Sequence, residues 1–370
     1  MKVLLVDTDS TIPNLALMRL AAYYKLLGYI VVLLKLGIPV YGKPKQKTVD
    51  CTGYDLAYIS AIFDTTPSHL TVIEGNCKVD YGGTGYDIKK KLPKEIDSCK
   101  PDYSIYPDND TSYGFIYRGC IRNCDFCIVP EKEGYVHQEV QSIKELIHHM
   151  RIKFLDNNFL AGINHKQFLQ ELIDLQIPCQ FNQGLDIRLV DDEIAEMLSR
   201  LKYIGEYIFA FDHIEDQKLI EEKLAIVKKY IPKDWKIKFF IYCHPKMNIV
   251  SDVYARILWC KANKVLPYFM RDLSCWNILP LEDPENTERM RTYCDFSAWC
   301  NQPGIFKHHN YKEFCMKRRP NADVCNRIPT WYFKYEMAGN EEGATPDCPF
   351  GPMDMGLEEI QRKWLGGYDD

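Results

Sequence analysis

Apolar and polar positions along the chain change period in a regular order. Lys2 to Val6 is a short apolar run closed by Asp7, and the polar residues Thr8, Asp9, Ser10 and Thr11 follow. Pro13 suits a first helical turn. Leu15, Met18, Ala22 and Leu26 then recur at helical spacing, and Gly28 stops the helix. Tyr29 to Leu36 predicts a second buried strand. Leu56 to Phe63 predicts a third, which runs into the polar loop Asp64-Thr65-Thr66-Pro67. Such alternation predicts a doubly wound parallel sheet, whose ligands bind beyond the carboxyl ends of the strands. Here those ends are the loops at residues 7–14 and 64–68. Gly82-Gly83-Thr84-Gly85 lacks the Gly-Lys-Ser/Thr ending of a P-loop and reads as a tight turn. Residues 92–110 contain Pro and Asp and read as a bridge between domains.

Beyond the bridge the alternation resumes. Strands are predicted at Phe115–Arg118, Ile152–Asp156, Cys179–Gln183, Glu206–Phe211, Lys236–Cys243 and Val265–Met270. Helices are predicted between them at about Glu139–Met150, His165–Leu175, Asp191–Leu201, Gln217–Tyr230 and Val250–Ala262. The pattern fits a partial (β/α)6 barrel, in which chemistry sits at the carboxyl ends of the strands. Those ends are polar: Asp156-Asn157-Asn158, Asn182-Gln183-Gly184-Leu185-Asp186-Ile187-Arg188, Asp212-His213, Cys243-His244 and Arg271. His148 and His149 read as packing or solvated residues. The expected segments are 1–91, a linker at 92–110, the barrel at 111–275, and a Cys-rich extension at 276–370.

Composition narrows the class without choosing a ligand. Apolar content of 46% and charged content of 26% suit a globular protein, and a net charge of −5 gives no global pull on nucleic acid. The apolar run Ile30 to Ile38 is short and interrupted by Lys35, so no membrane partner is expected. The N-terminus runs straight into a strand pattern and lacks a cleavable signal, so the expected location is the cytoplasm. Fifteen cysteines then read as reduced thiols and metal ligands.

The most specific chemistry is Arg118-Gly119-Cys120-Ile121-Arg122-Asn123-Cys124-Asp125-Phe126-Cys127. Three thiolates at the spacing CxxxCxxC can converge on one compact metal centre. An iron–sulfur cube takes four cysteine ligands, so three leave one iron open to chelate a small molecule. Zinc sites use closely spaced cysteines too, but these come as two pairs, and no second pair occurs here.

The motif resembles that of the radical S-adenosylmethionine enzymes. The resemblance implies that Cys120, Cys124 and Cys127 ligate a [4Fe–4S] cluster whose open iron binds S-adenosylmethionine. An electron from the cluster then releases a 5′-deoxyadenosyl radical. It further implies that Phe126 packs beside the cluster and adenine. Asp156 and Asn157 are candidates for the methionine amino group or the substrate. Asn182, Gln183, Asp186 and Arg188 are candidates for the ribose and the methionine carboxylate, with a rim salt bridge as the alternative for the last two. Asp212 is a candidate for adenosine or substrate protons. The first hundred residues resemble the cobalamin-binding-like domain of one subclass, through Pro13-Asn14-Leu15-Ala16-Leu17, Tyr54-Asp55-Leu56-Ala57-Tyr58-Ile59-Ser60 and Gly82-Gly83-Thr84-Gly85-Tyr86. The Asp-x-His-x-x-Gly motif that places a histidine below cobalt is absent, and the first histidine, His69, stands in another context. Some members bind cobalamin without that motif, so both cobalamin and a packing role stay open, the packing role ahead. The segments at 118–134, 155–162 and 181–190 also resemble an uncharacterised group of radical proteins from phage and gut bacteria.

After Arg271 the barrel pattern fades, and Cys275, Cys294, Cys300, Cys315, Cys325 and Cys348 gather in the extension. An auxiliary cluster, zinc with His308 or His309, and free thiols are the readings. Lys317-Arg318-Arg319 is a solvated face or an anion contact. The leading expectation is a radical enzyme acting on a small-molecule, nucleotide or peptide substrate, reduced by a flavodoxin- or ferredoxin-like donor. The alternatives are a methyl or methylthio transferase, and a zinc or iron–sulfur module that binds nucleic acid without catalysis.

Overall fold

The computed structural model describes residues 1–38, 46–63, 71–272, 284–322 and 327–337. The loop expected at 64–68, His69, Cys275, Cys325 and Cys348 lie outside the described residues. Packing divides the chain into two compact units, residues 1–183 with 200–204, and residues 184–199 with 205–370. Both are α/β with parallel sheets.

The first unit opens with a four-stranded parallel sheet in the order β2-β1-β4-β6, made of β1 (Lys2–Asp7), β2 (Ile30–Lys35), β4 (Leu56–Ser60) and β6 (Lys78–Gly82). Val3 and Leu5 of β1 pack on Leu17, Leu20 and Ala21 of α1 (Leu15–Leu26), while Leu4 and Val6 face the opposite layer. That layer includes β3 (Lys47–Asp50), which pairs in parallel with β5 (Thr71–Glu74). Asn14 starts the helix, its Oδ1 accepting the N–H groups of Ala16 and Leu17. Such a cap is worth about 1 kcal/mol.

Two expectations need correction here. The second strand is not buried: β2 pairs with β1 at the end of the sheet order, and Ile30, Val32 and Leu34 are exposed. A run of apolar residues cannot tell an edge strand from a central one. The cysteines are not all thiols, because Cys51 and Cys77 are joined as a disulfide with Cα atoms 6.0 Å apart. The parallel register pairs Asp50 with Glu74, and Gly75 at φ 110° turns the chain back beside Cys51. A side chain at Gly75 would meet the Cys51 sulfur at 3.0 Å. That long-range pairing leaves no local mark in the sequence.

Residues 92–110 are packed rather than extended. Ile96 of α2 (Lys94–Asp97) and Tyr103 are buried, and Tyr103 stacks on His148 at 4.6 Å with His149 edge-on at 4.9 Å. The packing role expected of the two histidines holds. A second sheet in this unit runs β11-β10-β7, from Cys179–Phe181, Ile152–Phe154 and Ser112–Gly114. The strand expected at 115–118 is thus displaced. The parallel strand there is β7, and Tyr117–Arg118 (β8) pairs antiparallel with His137–Gln138 (β9) to enclose the cysteine loop. The helix expected from Glu139 to Met150 is a single turn, Ile143–Glu145, fixed by the reciprocal Ser142/Glu145 capping box. It is not prolonged, because His148 and His149 donate their N–H groups to Ser112 Oγ.

The second unit carries the parallel sheet β12-β13-β14, from Tyr207–Ala210, Ile237–Cys243 and Leu266–Arg271. The two three-stranded sheets contain five of the six expected strands, with β7 in place of the sixth. The intervening helices fall close to the expected ranges, with Gln217–Tyr230 as predicted. Ile249–Tyr254 departs, being a π-helical turn before the helix Ala255–Ala262. In the extension, Asp295 is fully buried and paired with Arg318 and Arg319. Arg318 and Arg319 of the basic run thus close on the protein's own carboxylate, while Lys317 and Arg318 remain exposed, as a solvated face would have them. No helix among the described residues is long and apolar enough to cross a membrane.

Candidate metal centre

Cys120, Cys124 and Cys127 lie on one loop, all half-buried, between β8 and the short helix α3 (Val129–Lys132). Gly119 has φ 79°, and a Cβ there would stand 2.4 Å from Tyr135 O and 2.6 Å from Gly134 O. Only glycine lets the arms of the hairpin approach so closely. Cys127 N–H donates to Cys124 O at 2.9 Å, closing the turn that carries the last two thiols. Two sulfurs accept backbone hydrogen bonds: Cys120 Sγ from Arg122 N at 3.3 Å, and Cys127 Sγ from Val129 N at 3.5 Å.

The polar end of β10 holds this loop in place. Asp156 Oδ1 accepts Tyr117 N–H at 2.7 Å and Oδ2 accepts Ile116 N–H at 3.1 Å. Asn157 Oδ1 accepts Gly119 N–H at 2.9 Å, and Asn158 Nδ2 donates to Cys120 Sγ at 3.5 Å. Three successive residues thus grip three successive parts of the segment 116–120. Burial pushes the Asp156 carboxyl up to about 7, against the pull of its two N–H donors. Arg118 lies over the Phe115 ring and is shared between Glu133 and Glu139. Lys132 Nζ donates to Thr84 Oγ1 of the glycine-rich turn at 2.6 Å, and burial lowers its pKa.

The donor set fits an iron–sulfur cube: three thiols on one loop, two of them accepting N–H bonds as thiolate ligands do. The sulfurs are not gathered at one point, for among the described residues no three His, Cys, Asp or Glu side chains stand close enough to hold a metal ion. Phe126 is half-buried in the loop. Asn182, half-buried, and Gln183, exposed, follow β11, and Asn182 N–H donates to Phe154 O at 2.9 Å.

The second unit holds the remaining sequence-predicted residues. Arg188 Nε donates to Asp186 Oδ1 at 2.7 Å, and its Nη1 donates to Asp216 Oδ2 at 3.0 Å, so the rim salt bridge is present. Asp212 accepts Tyr242 N–H at 3.3 Å, and burial raises its pKa. Sequence reasoning missed Arg256, fully buried among apolar neighbours in its helix. Its guanidinium donates to Phe211 O and Tyr242 O, at the ends of two adjacent strands, and pairs with Asp252. Asn158 was visible only as one of several polar residues at a strand end.

The other cofactor expectations find less support among the described residues. At the carboxyl ends of the first sheet, Asp7, Asp9, Ser10, Asn14 and Ser60 are all buried. Asn14 Nδ2 donates to Ser60 Oγ, Ser10 N–H and Tyr106 O–H donate to Asp7, and Asp9 takes the N–H groups of Ile62 and Phe63. These groups satisfy one another, which does not fit a corrinoid cradle. In the extension, Cys300 and Cys315 are buried and burial raises both thiols, keeping them neutral. His309 contacts Ile305 O and Lys317 Nζ. Cys300 and Cys315 are thus packed thiols among the described residues, while three of the six extension cysteines lie outside them.

No family model matches the chain. The chain is 28% identical over 203 residues to the ribosomal protein uS12 methylthiotransferase RimO of Petrotoga mobilis, covering 49% of this chain and 43% of that one. It therefore spans less than half the length of this curated relative. Among solved structures, the cobalamin-dependent S-adenosylmethionine radical enzyme OxsB is similar at 12% identity and a TM-score of 0.42, over 85% of this chain and 57% of that one.

Proposed function

We propose that the chain is a radical S-adenosylmethionine enzyme. The observation that carries the proposal is the CxxxCxxC loop, with N–H groups directed at its sulfurs and its base gripped by Asp156, Asn157 and Asn158. Cys120, Cys124 and Cys127 would hold a [4Fe–4S] cluster, which would supply the electron for reductive cleavage of S-adenosylmethionine to a 5′-deoxyadenosyl radical able to abstract hydrogen from a substrate.

The chain's own residues divide the remaining work. Asp156 has both oxygens engaged by backbone, so it positions the loop. Asn157 sets the turn at Gly119. Phe126 gives the adenine an apolar wall. The amides of Asn182 and Gln183 suit ribose hydroxyls. Asp186 and Arg188 shape the rim through their ion pair, and Arg188 offers a planar fork for a carboxylate. Asp212, its pKa raised by burial, suits a proton contact. A flavodoxin- or ferredoxin-like donor, a cytoplasmic location and the four-segment division at residues 91, 110 and 275 belong to the same proposal.

The similarity to RimO favours methylthio transfer to a polypeptide as a second reading. Methylthio transfer usually uses a second cluster. Of the three cysteines in the first hundred residues, Cys51 and Cys77 are bonded to each other and Cys99 is left. We therefore keep hydrogen abstraction as the first reading.

The test is anaerobic reconstitution with iron and sulfide, followed by dithionite and S-adenosylmethionine. 5′-Deoxyadenosine that disappears in Cys124→Ala supports the proposal. S-adenosylhomocysteine in its place moves the reading to methyl transfer. Zinc without iron, and no turnover, leaves a binding module.

A further inference from the structure

Asn158 stands apart from its two neighbours at the end of β10. Asp156 and Asn157 bond backbone N–H groups, which any loop could use. Asn158 bonds a sulfur: its Nδ2 donates to Cys120 Sγ at 3.5 Å. The side chain is 4% exposed, and its Oδ1 is buried with no hydrogen-bond partner. A half-satisfied buried amide costs stability, and an apolar residue of similar size would avoid that cost. The protein spends a polar group there, and the contact that group makes is with a candidate metal ligand. Cys120 Sγ also receives Arg122 N–H at 3.3 Å, so two donors converge on this one sulfur.

Hydrogen bonds to cysteine sulfur withdraw charge from an iron–sulfur cluster and favour its reduced, more negative state. We propose that Asn158 is a positioning and tuning residue for the cluster, donating from its amide to the Cys120 sulfur and raising the reduction potential. The inference rests on the reading of Cys120, Cys124 and Cys127 as cluster ligands. It assigns to a residue outside the motif a share in setting how readily that cluster accepts an electron.

The test compares the full-length protein with Asn158→Ala, Asn158→Leu and Asn158→Asp, each reconstituted anaerobically. Iron and sulfide are counted first, and midpoint potentials are then followed by electron paramagnetic resonance. Iron-free wild-type protein would overturn the cluster reading itself, and this inference with it. With iron present in all, Ala and Leu should shift the potential to more negative values. Asp should shift it further, because it removes the donor and adds a negative charge. A chelator should strip iron several-fold faster from Ala than from wild type. Without iron, Leu should unfold at the same or a higher temperature than wild type, since it removes an unpaired buried oxygen. That readout separates a tuning role from a merely structural one, which would lower the apoprotein's stability. An unchanged potential in either Ala or Leu carrying full iron would overturn the assignment. So would destabilised Leu apoprotein whose cluster, once formed, keeps the wild-type potential.

Discussion

Gly119 and Asp156 act on the cysteine loop from opposite sides, one by what it lacks and the other by what it accepts. A Cβ at Gly119 would collide with two carbonyl oxygens, and its φ of 79° is strained for any other residue. Gly119→Ala should cost about 2 kcal/mol or more in urea unfolding, and should lower iron uptake in proportion to the loop's displacement. Asp156 is buried, with a carboxyl raised to about 7 from an ordinary value near 4. The folded state keeps its proton after the unfolded state has lost it. The stabilisation is therefore present in full below about pH 4 and is lost as pH rises to about 7. Melting temperatures of the apoprotein should fall across that window and then level off. In Asp156→Asn the corresponding slope should vanish. None of this was visible in residue types alone. The sequence marks Asp156, Asn157 and Asn158 as polar, but not that all three turn toward the segment before Cys120.

At the scale of elements, periodicity served best where a helix stands free with one buried face. Helices His165–Leu175 and Gln217–Tyr230 begin and end where their apolar spacing begins and ends. It failed where a distant partner decides. Residues 139–150 have helical composition, yet Ser112 Oγ takes the N–H groups of His148 and His149, and one capped turn is what forms. Strands β3, β5 and β6 went unnoticed because short runs such as Lys47–Asp50 show no clear alternation. The pairing of β3 with β5 brings the chain to the Cys51–Cys77 link, which spans 26 residues. Closing such a loop stabilises by about 3 kcal/mol on chain-entropy grounds. Cys77→Ser should lose roughly that amount in guanidinium unfolding without reductant, and the difference from wild type should disappear in dithiothreitol. A difference that persists in reductant would mean the cysteine matters for packing instead.

Across the molecule, the α/β class, the parallel strands and the motif loop were legible in the sequence, while the fate of the first sheet was not. Its strand-end residues have the composition of a ligand rim, and folding turns them on each other: Asp7, Asn14, Ser60 and Tyr106 form one bonded set. What the unit offers outward is Thr84, whose hydroxyl accepts the half-buried ammonium of Lys132, five residues beyond Cys127. Thr84→Val would remove one of the contacts of that cation, which also lies 3.9 Å from Glu133 Oε1, and should cost about 0.5–1.5 kcal/mol, measured by urea unfolding. Adding Lys132→Met should restore most of the loss, because the half-buried ammonium that lost the hydroxyl is then gone as well. If the double variant is no more stable than the single, the contact is incidental.

That one bond changes what the opening ninety residues are for. A nucleotide-type sheet whose described strand ends bond one another can still have a structural role. Its last turn props the short helix that closes the thiol loop, so it can serve as masonry for that loop. Such a sheet would be intolerant of change both at its bonded strand ends, Asp7, Asn14 and Ser60, and at Thr84.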